Sequence, residues 1–258
     1  MILAIDCGNT HSVLGVYDDD LLLASWRIST DAAKTEDEYL VLLTQLFQSA
    51  GLKFNNISTM IVASVVPPVN FALTMLAKKH LPKTKLIFVD ETTPTGIKII
   101  ADNPKEVGAD RIVNALAAHE KYGGNLIVVD FGTATTFDCI TANGEYFGGA
   151  ICPGIEISKQ ALFSHAAKLS DIVLSRPPKV MATNTADSLR SGILWGYGGQ
   201  VDSLVRRMEN EWGKKVQVIA TGGLANLICE FSETIDEVDM ELTLDGLRLV
   251  CVKIRELN

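Results

Sequence analysis

Two aspartates give the first chemical signal in this chain. Asp6 ends the apolar run Ile2-Leu3-Ala4-Ile5 and opens the phrase Asp6-Cys7-Gly8-Asn9-Thr10. Asp130 ends the run Leu126-Ile127-Val128-Val129 and opens Asp130-Phe131-Gly132-Thr133-Ala134. A glycine turn with small polar neighbours lets backbone N–H groups approach a phosphate closely. A carboxylate beside it suits a hydrated divalent cation, which prefers oxygen ligands. The phrase occurs once in each half of the chain, so the pattern predicts a duplicated protein closing both halves on a nucleotide.

Each phrase carries its own assignments. In the first, Gly8, Asn9 and Thr10 wrap a phosphate tail and Asp6 holds Mg²⁺ through water. In the second, Asp130 is a second cation site, and Gly132 and Thr133 contact phosphate. Thr135 and Thr136 point to opposite faces of a strand, so at most one serves a site. Either phrase alone also reads as an ordinary hairpin turn, where Asp, Gly and Asn are favoured for backbone reasons.

Three further segments join them. Thr221-Gly222-Gly223-Leu224-Ala225 lies between a strand and a helix. There glycine lets a flat ring or ribose rest on the backbone, and a helix N-terminus favours anions. Gly108-Ala109-Asp110-Arg111 sets a carboxylate beside a cation at a helix start. It can accept a proton from a substrate hydroxyl, or cap the helix with a solvated arginine alongside. Asn184-Thr185 precedes a long helix, to contact substrate or to cap it. Within that helix, Gly192-Ile193-Leu194-Trp195-Gly196 permits close packing, in a dimer or in the core.

The elements that must position these residues follow from periodicity. Strands are predicted at Ile2–Asp6, Ser12–Tyr17 and Leu21–Ile28, with the turn at Asp18-Asp19-Asp20. A helix spans Glu36 to Ala50 and stops at Gly51. Next come a strand at Thr59–Val66, a helix at Val69–Lys79, a strand at Lys85–Val89, a loop-rich stretch from Thr92 to Val107 and a helix at Ile112–Lys121. The second half repeats the order: strands at Leu126–Asp130, Thr135–Thr141 and Glu145–Ile151, then a helix at Ile155–His165. A long helix at Asp187–Trp212, a strand at Val216–Ala220, a helix start at Gly223–Cys229 and a helix at Leu244–Leu257 complete it. Asn143-Gly144 is a hairpin signal.

Composition narrows the function classes. Hydrophobic residues make up 47% of the 258, and no apolar run approaches the ~20 residues of a membrane helix. The opening Met1-Ile2-Leu3-Ala4-Ile5-Asp6 lacks a basic leader region, which predicts a cytoplasmic protein without membrane association. Cys7, Cys139, Cys152, Cys229 and Cys251 form no C-x-x-C pair, against a zinc site or a disulfide framework. The net charge of −8 counts against nucleic acid as a partner. It also bears on phosphate binding: there is no G-x-x-x-x-G-K-[ST] loop, so cations must supply much of the positive charge.

Taken in order, Asp6-Cys7-Gly8-Asn9-Thr10, Asn103-Pro104-Lys105-Glu106-Val107-Gly108-Ala109-Asp110-Arg111, Asp130-Phe131-Gly132-Thr133-Ala134-Thr135, Gly148-Gly149-Ala150-Ile151-Cys152-Pro153-Gly154 and Thr221-Gly222-Gly223 resemble the type III pantothenate kinases. That family is a branch of the acetate kinase, sugar kinase, Hsp70 and actin superfamily. The hairpins are shared across the superfamily; the Gly-Ala-Asp-Arg segment with its Asn-Pro-Lys-Glu lead-in narrows the branch.

The resemblance implies an α/β fold of two duplicated actin-like (ribonuclease H-like) domains, with a nucleotide cleft between them. Their expected limits are 1–122 and 123–258, with the helix at 244–257 packing back on the first. It implies ATP-dependent phosphorylation of pantothenate to 4′-phosphopantothenate, the first step of coenzyme A synthesis. ATP would contact Asp6, Cys7, Gly8, Asn9, Thr10, His11, Ser12, Val13 and Thr133, with Gly222 and Gly223 on the adenosine side and Mg²⁺ held through water by Asp6. Pantothenate would contact Gly108, Ala109, Asp110, Arg111 and Thr185, with Asp110 as proton acceptor. Asp130 would bind a monovalent cation, K⁺ or NH₄⁺. The resemblance also implies a homodimer with the substrate site near its interface, and no feedback by coenzyme A. The family often places an aromatic residue over pantothenate, where this chain has Ile97 to Ile100. Two other readings compete: another small-molecule kinase of the superfamily, and a non-catalytic regulatory relative. The Gly-Ala-Asp-Arg segment argues against the first, and the presence of Asp6, Asp110 and Asp130 against the second.

Overall fold

The structure is a computed structural model that describes residues 1–166, 169 and 171–257. The chain forms two compact units. One comprises Met1–Ala117 with Leu242–Asn258, the other Ala118–Glu241.

The first unit is built on a sheet of β1 (Ile2–Cys7), β2 (His11–Asp18), β3 (Leu21–Ser29), β4 (Thr59–Ser64) and β5 (Lys85–Phe88), in the order β3-β2-β1-β4-β5. β1 is central, which explains its unbroken apolar run: a strand covered on both faces has no polar side to present. β1 pairs antiparallel with β2 and parallel with β4.

On one face, Leu3, Ile5 and Cys7 pack with Tyr39, Leu43 and Phe47 of α1 (Glu36–Ser49) and with Val69, Leu73 and Leu76 of α2 (Pro67–His80). Thr35 and Glu38 form a reciprocal capping box at the start of α1. On the other face, Ile2, Ala4, Ile61 and Ala63 pack with Val113 and Leu116 of α3 (Ala109–Tyr122) and Leu247 and Val250 of α7 (Leu242–Glu256). α7 therefore belongs to the first unit. It approaches so closely that a side chain at Gly246 would overlap the carbonyl of Val113, and Asp245 accepts a 2.9 Å hydrogen bond from Tyr17. Between β5 and α3, the loop-rich segment contains a two-residue strand, β6 (Lys98–Ile99), and one 3₁₀ turn at Pro104–Glu106.

The second unit repeats the plan. It contains β7 (Leu126–Phe131), β8 (Ala134–Ile140), β9 (Glu145–Pro153), β10 (Gln217–Thr221) and β11 (Glu237–Val238), in the order β11-β10-β7-β8-β9. Read from β9, this matches β3-β2-β1-β4-β5 strand for strand. Ile127, Val129 and Phe131 pack with Ile155 of α4 (Ile155–His165), with Leu194, Val201 and Val205 of α5 (Thr185–Trp212), and with Ala225 and Ile228 of α6 (Ala225–Ile228).

Helix starts differ from the periodicity by a few residues, each for a local reason. α2 begins at Pro67, where a missing N–H costs nothing, so β4 ends sooner. α3 begins at Ala109, which places Asp110 inside its first turn.

Candidate active site

The first hairpin is tight. Asp6 pairs in register with Val13 and Cys7 with Ser12, and the Gly8 N–H donates to the His11 carbonyl at 3.1 Å. Gly8, Asn9 and Thr10 form the connection between the strands. The Thr10 carbonyl accepts from the Thr30 N–H at 3.0 Å, which ties the turn to the end of β3. Asn9, Thr10 and His11 are exposed, and Asp6 is half-buried. Cys7 and Ser12 are 1% and 3% exposed, and they face the core with Thr30, whose hydroxyl is 2.8 Å from that of Ser12. These two side chains support the turn from beneath. The His11 ring is held below its usual pKa, first by desolvation and then by the neighbouring Arg27 guanidinium.

The second hairpin is one residue shorter. Only Gly132 and Thr133 connect β7 to β8, and the Gly132 N–H donates to the Ala134 carbonyl at 3.0 Å. Asp130 is in register with Thr136, which shares its face. Thr136 donates to Asp138 at 3.1 Å. Thr135 is fully buried on the opposite face.

Two glycines close on this hairpin. β10 runs parallel to β7 with Thr221 opposite Asp130, which brings the turn after β10 to the end of β7. Gly222 has φ +90°, and a Cβ there would overlap the Asp130 Oδ1 and stand 2.7 Å from the Phe131 nitrogen. Gly154, where β9 passes into α4, presses on the Thr133 carbonyl, and a Cβ would lie 2.7 Å from the Gly132 carbonyl oxygen. A trans peptide unit points its C=O and N–H in opposite directions. The N–H partners of those two carbonyls therefore face away from Gly154.

The fourth segment belongs to the first unit. Gly108 immediately precedes α3, and its carbonyl accepts the Ile112 N–H at 3.1 Å. Asp110 Oδ1 accepts the Arg111 N–H at 2.9 Å and lies where a Cβ on Gly108 would be. The carboxylate is thus folded over the helix start and half-buried. Thr185 opens α5 just after its N-cap Asn184, whose side chain accepts the Asp187 N–H at 2.9 Å.

The donors fit the cations that the phrases suggest. Each hairpin carries an aspartate, whose oxygens are of the hard type that Mg²⁺ and alkali cations accept. No cluster of three or more His, Cys, Asp or Glu suited to a metal occurs among the described residues. Nor is any helix of the described residues long and apolar enough to cross a membrane.

Comparison with known proteins decides the family. Residues 2–207 match the family profile described as type III pantothenate kinase. The chain belongs to the type III pantothenate kinase family. A relative of that name from Anaeromyxobacter sp. (strain Fw109-5) is 52% identical over 250 residues, covering 97% of this chain and 98% of its own. Among solved structures, the activator of 2-hydroxyisocaproyl-CoA dehydratase from Clostridium difficile, with bound ADPNP, aligns with a TM-score of 0.57 at 13% identity, covering 99% of this chain and 96% of that one. An archaeal actin homologue aligns with a TM-score of 0.50 at 12% identity, covering 98% and 99%. At these identities the likeness speaks for fold alone, and it is the actin-like fold of the sugar kinases.

Asp110 is named as a candidate by the sequence itself. Its signal was the Gly-Ala-Asp-Arg segment, while the folded-back carboxylate depends on a helix start that periodicity set at Ile112. Gly154 was legible only as part of the Gly148–Gly154 phrase, and its pressure on the second hairpin had no sequence signal.

Proposed function

We propose that this protein catalyses ATP-dependent phosphorylation of pantothenate to 4′-phosphopantothenate, the first step of coenzyme A biosynthesis. The observation that carries this reading is the family match across residues 2–207, with the Asp110 carboxylate held at the start of α3. Pantothenate is bound by Gly108, Ala109, Asp110, Arg111 and Thr185. The substrate hydroxyl oxygen forms its bond to the γ-phosphorus as the bond to the β–γ bridging oxygen breaks, and ADP departs. Asp110 accepts the hydroxyl proton. Such transfers depend mainly on positioning and charge stabilisation, and an Asp commonly takes this role.

The nucleotide is assigned to Asp6–Val13, Thr133 and the Gly222-Gly223 turn. Asp6 would hold Mg²⁺ through water, and Asp130 would hold a monovalent cation of K⁺ size. When bound, these ions neutralise charge on the transferring phosphoryl group. The net charge of −8 and the missing P-loop lysine support that need. The exposed Gly192, Trp195, Gly196 and Gly199 on one side of α5 support a homodimer, and light scattering would test it. A cytoplasmic location fits the substrate.

The deciding experiment incubates the purified chain with Mg·ATP and pantothenate and follows phosphopantothenate by mass spectrometry. Product formation is expected. Turnover of acetate, glycerol or hexose with pantothenate ignored would overturn the reading.

A further inference from the structure

The first hairpin has a cation of its own. Asp6, Val13 and Arg27 stand in one row across β1, β2 and β3, since Asp6 is opposite Val13 and Val13 opposite Arg27. Residues in register point to the same face, so Asp6 and Arg27 flank Val13 on one side of the sheet, with Cα atoms roughly 10 Å apart at ordinary strand spacing. His11, two residues from Val13 on the same strand, shares that face. The Arg27 Nη2 lies 3.0 Å from the His11 Nδ1.

The direction of that bond is determined. A guanidinium only donates, so His11 Nδ1 accepts and the ring proton lies on Nε2. The depressed pKa of His11 agrees with a neutral ring. Arg27 is therefore fixed by a neutral acceptor. Among the described residues it ion-pairs with no carboxylate, so its full charge is available to a ligand. It is exposed, and the turn carrying Asn9 and Thr10 is anchored to its own strand by the Thr30 N–H.

We propose that Arg27, oriented by His11, is a nucleotide-binding residue that contacts the terminal phosphates of ATP beside the first hairpin, where it supplies the charge a P-loop lysine gives elsewhere. This rests on the kinase reading above. A planar guanidinium matches phosphate oxygens in a two-pronged fashion that an ammonium does not.

The test is calorimetric titration of the full chain, without pantothenate, using Mg·AMPPNP, Mg·ADP and AMP. For Arg27→Gln, AMPPNP affinity should fall at least tenfold and AMP affinity stay within twofold, with an unchanged melting temperature. Arg27→Lys should recover only part of the loss. AMPPNP binding within twofold of wild type in Arg27→Gln overturns the proposal. Equal loss for all three nucleotides does so too, since it marks a structural role. If Arg27→Gln does not fold, Arg27→Lys decides: a loss of threefold or more confined to AMPPNP supports the contact, and no loss refutes it. Failure of the wild-type protein to bind any nucleotide would instead refute the kinase reading itself.

Discussion

Gly222 lies directly against the carboxylate of Asp130: any Cβ at this position would occupy the space of Oδ1. The contact joins the two candidate site segments of the second unit, because β10 delivers Gly222 to the end of β7 in a fixed register. At φ +90°, position 222 also suits glycine for backbone reasons alone.

Gly222→Ala should therefore fail twice, through backbone strain and through displacement of Asp130. Strain of this kind costs about 1–3 kcal/mol. The expected result is a lower urea midpoint together with a rise of more than tenfold in the KM for ATP. A variant with wild-type kinetics would show that Asp130 tolerates displacement.

Asp110→Asn should keep the local structure, because an amide oxygen can still accept the Arg111 N–H. It removes the proposed proton acceptor. Loss of a general base costs about 10²–10⁴-fold in rate. Steady-state assays should show that fall in kcat with circular dichroism unchanged. A variant within threefold of wild type would reduce Asp110 to a helix-start ligand.

Replacing K⁺ by Na⁺ at matched ionic strength should lower activity, and NH₄⁺, close to K⁺ in size, should restore it. Asp130→Asn should abolish most of the response. Equal rates in Na⁺ and K⁺ would leave Asp130 a different role, most simply as a ligand of a second Mg²⁺.

Cys251, buried on α7 against β1 and β4, has its thiol pushed up to about 11 by burial. In the unfolded chain the thiol ionises near its usual value, so between roughly pH 9 and 11 the unfolded state has lost a proton that the folded state keeps. Stability should fall with rising pH across that window, by at most about 1.4 kcal/mol per pH unit from this group. Urea titrations at pH 7.5, 9 and 10 should show the slope, and Cys251→Ala should flatten it.

Much of the fold was legible because each central strand is an apolar run ended by an acid and a glycine. Ile2–Ile5 and Leu126–Val129 are such runs, and each became the middle strand of its sheet. α1 and α4 were legible by spacing, within a residue or so. β6 and β11 escaped because two residues carry no period. The site was legible as separate phrases. Their contacts within the second unit were not, since the pressure of Gly222 on Asp130 and of Gly154 on Thr133 comes from strand register, which only the paired sheet specifies. Arg27 escaped for the same reason: its relation to Asp6 runs across three strands.

Because α7 packs in the first unit, that unit is completed by the last part of the chain to be made. A ribosome that has delivered all of Ala118–Glu241 has still not delivered the helix that covers Ile2, Ala4 and Ile61. During synthesis the later unit can complete its core while the earlier one waits with one sheet face partly bare. The order of emergence and the order of completion are therefore reversed, and the waiting face is where a chaperone would be expected to bind nascent chains.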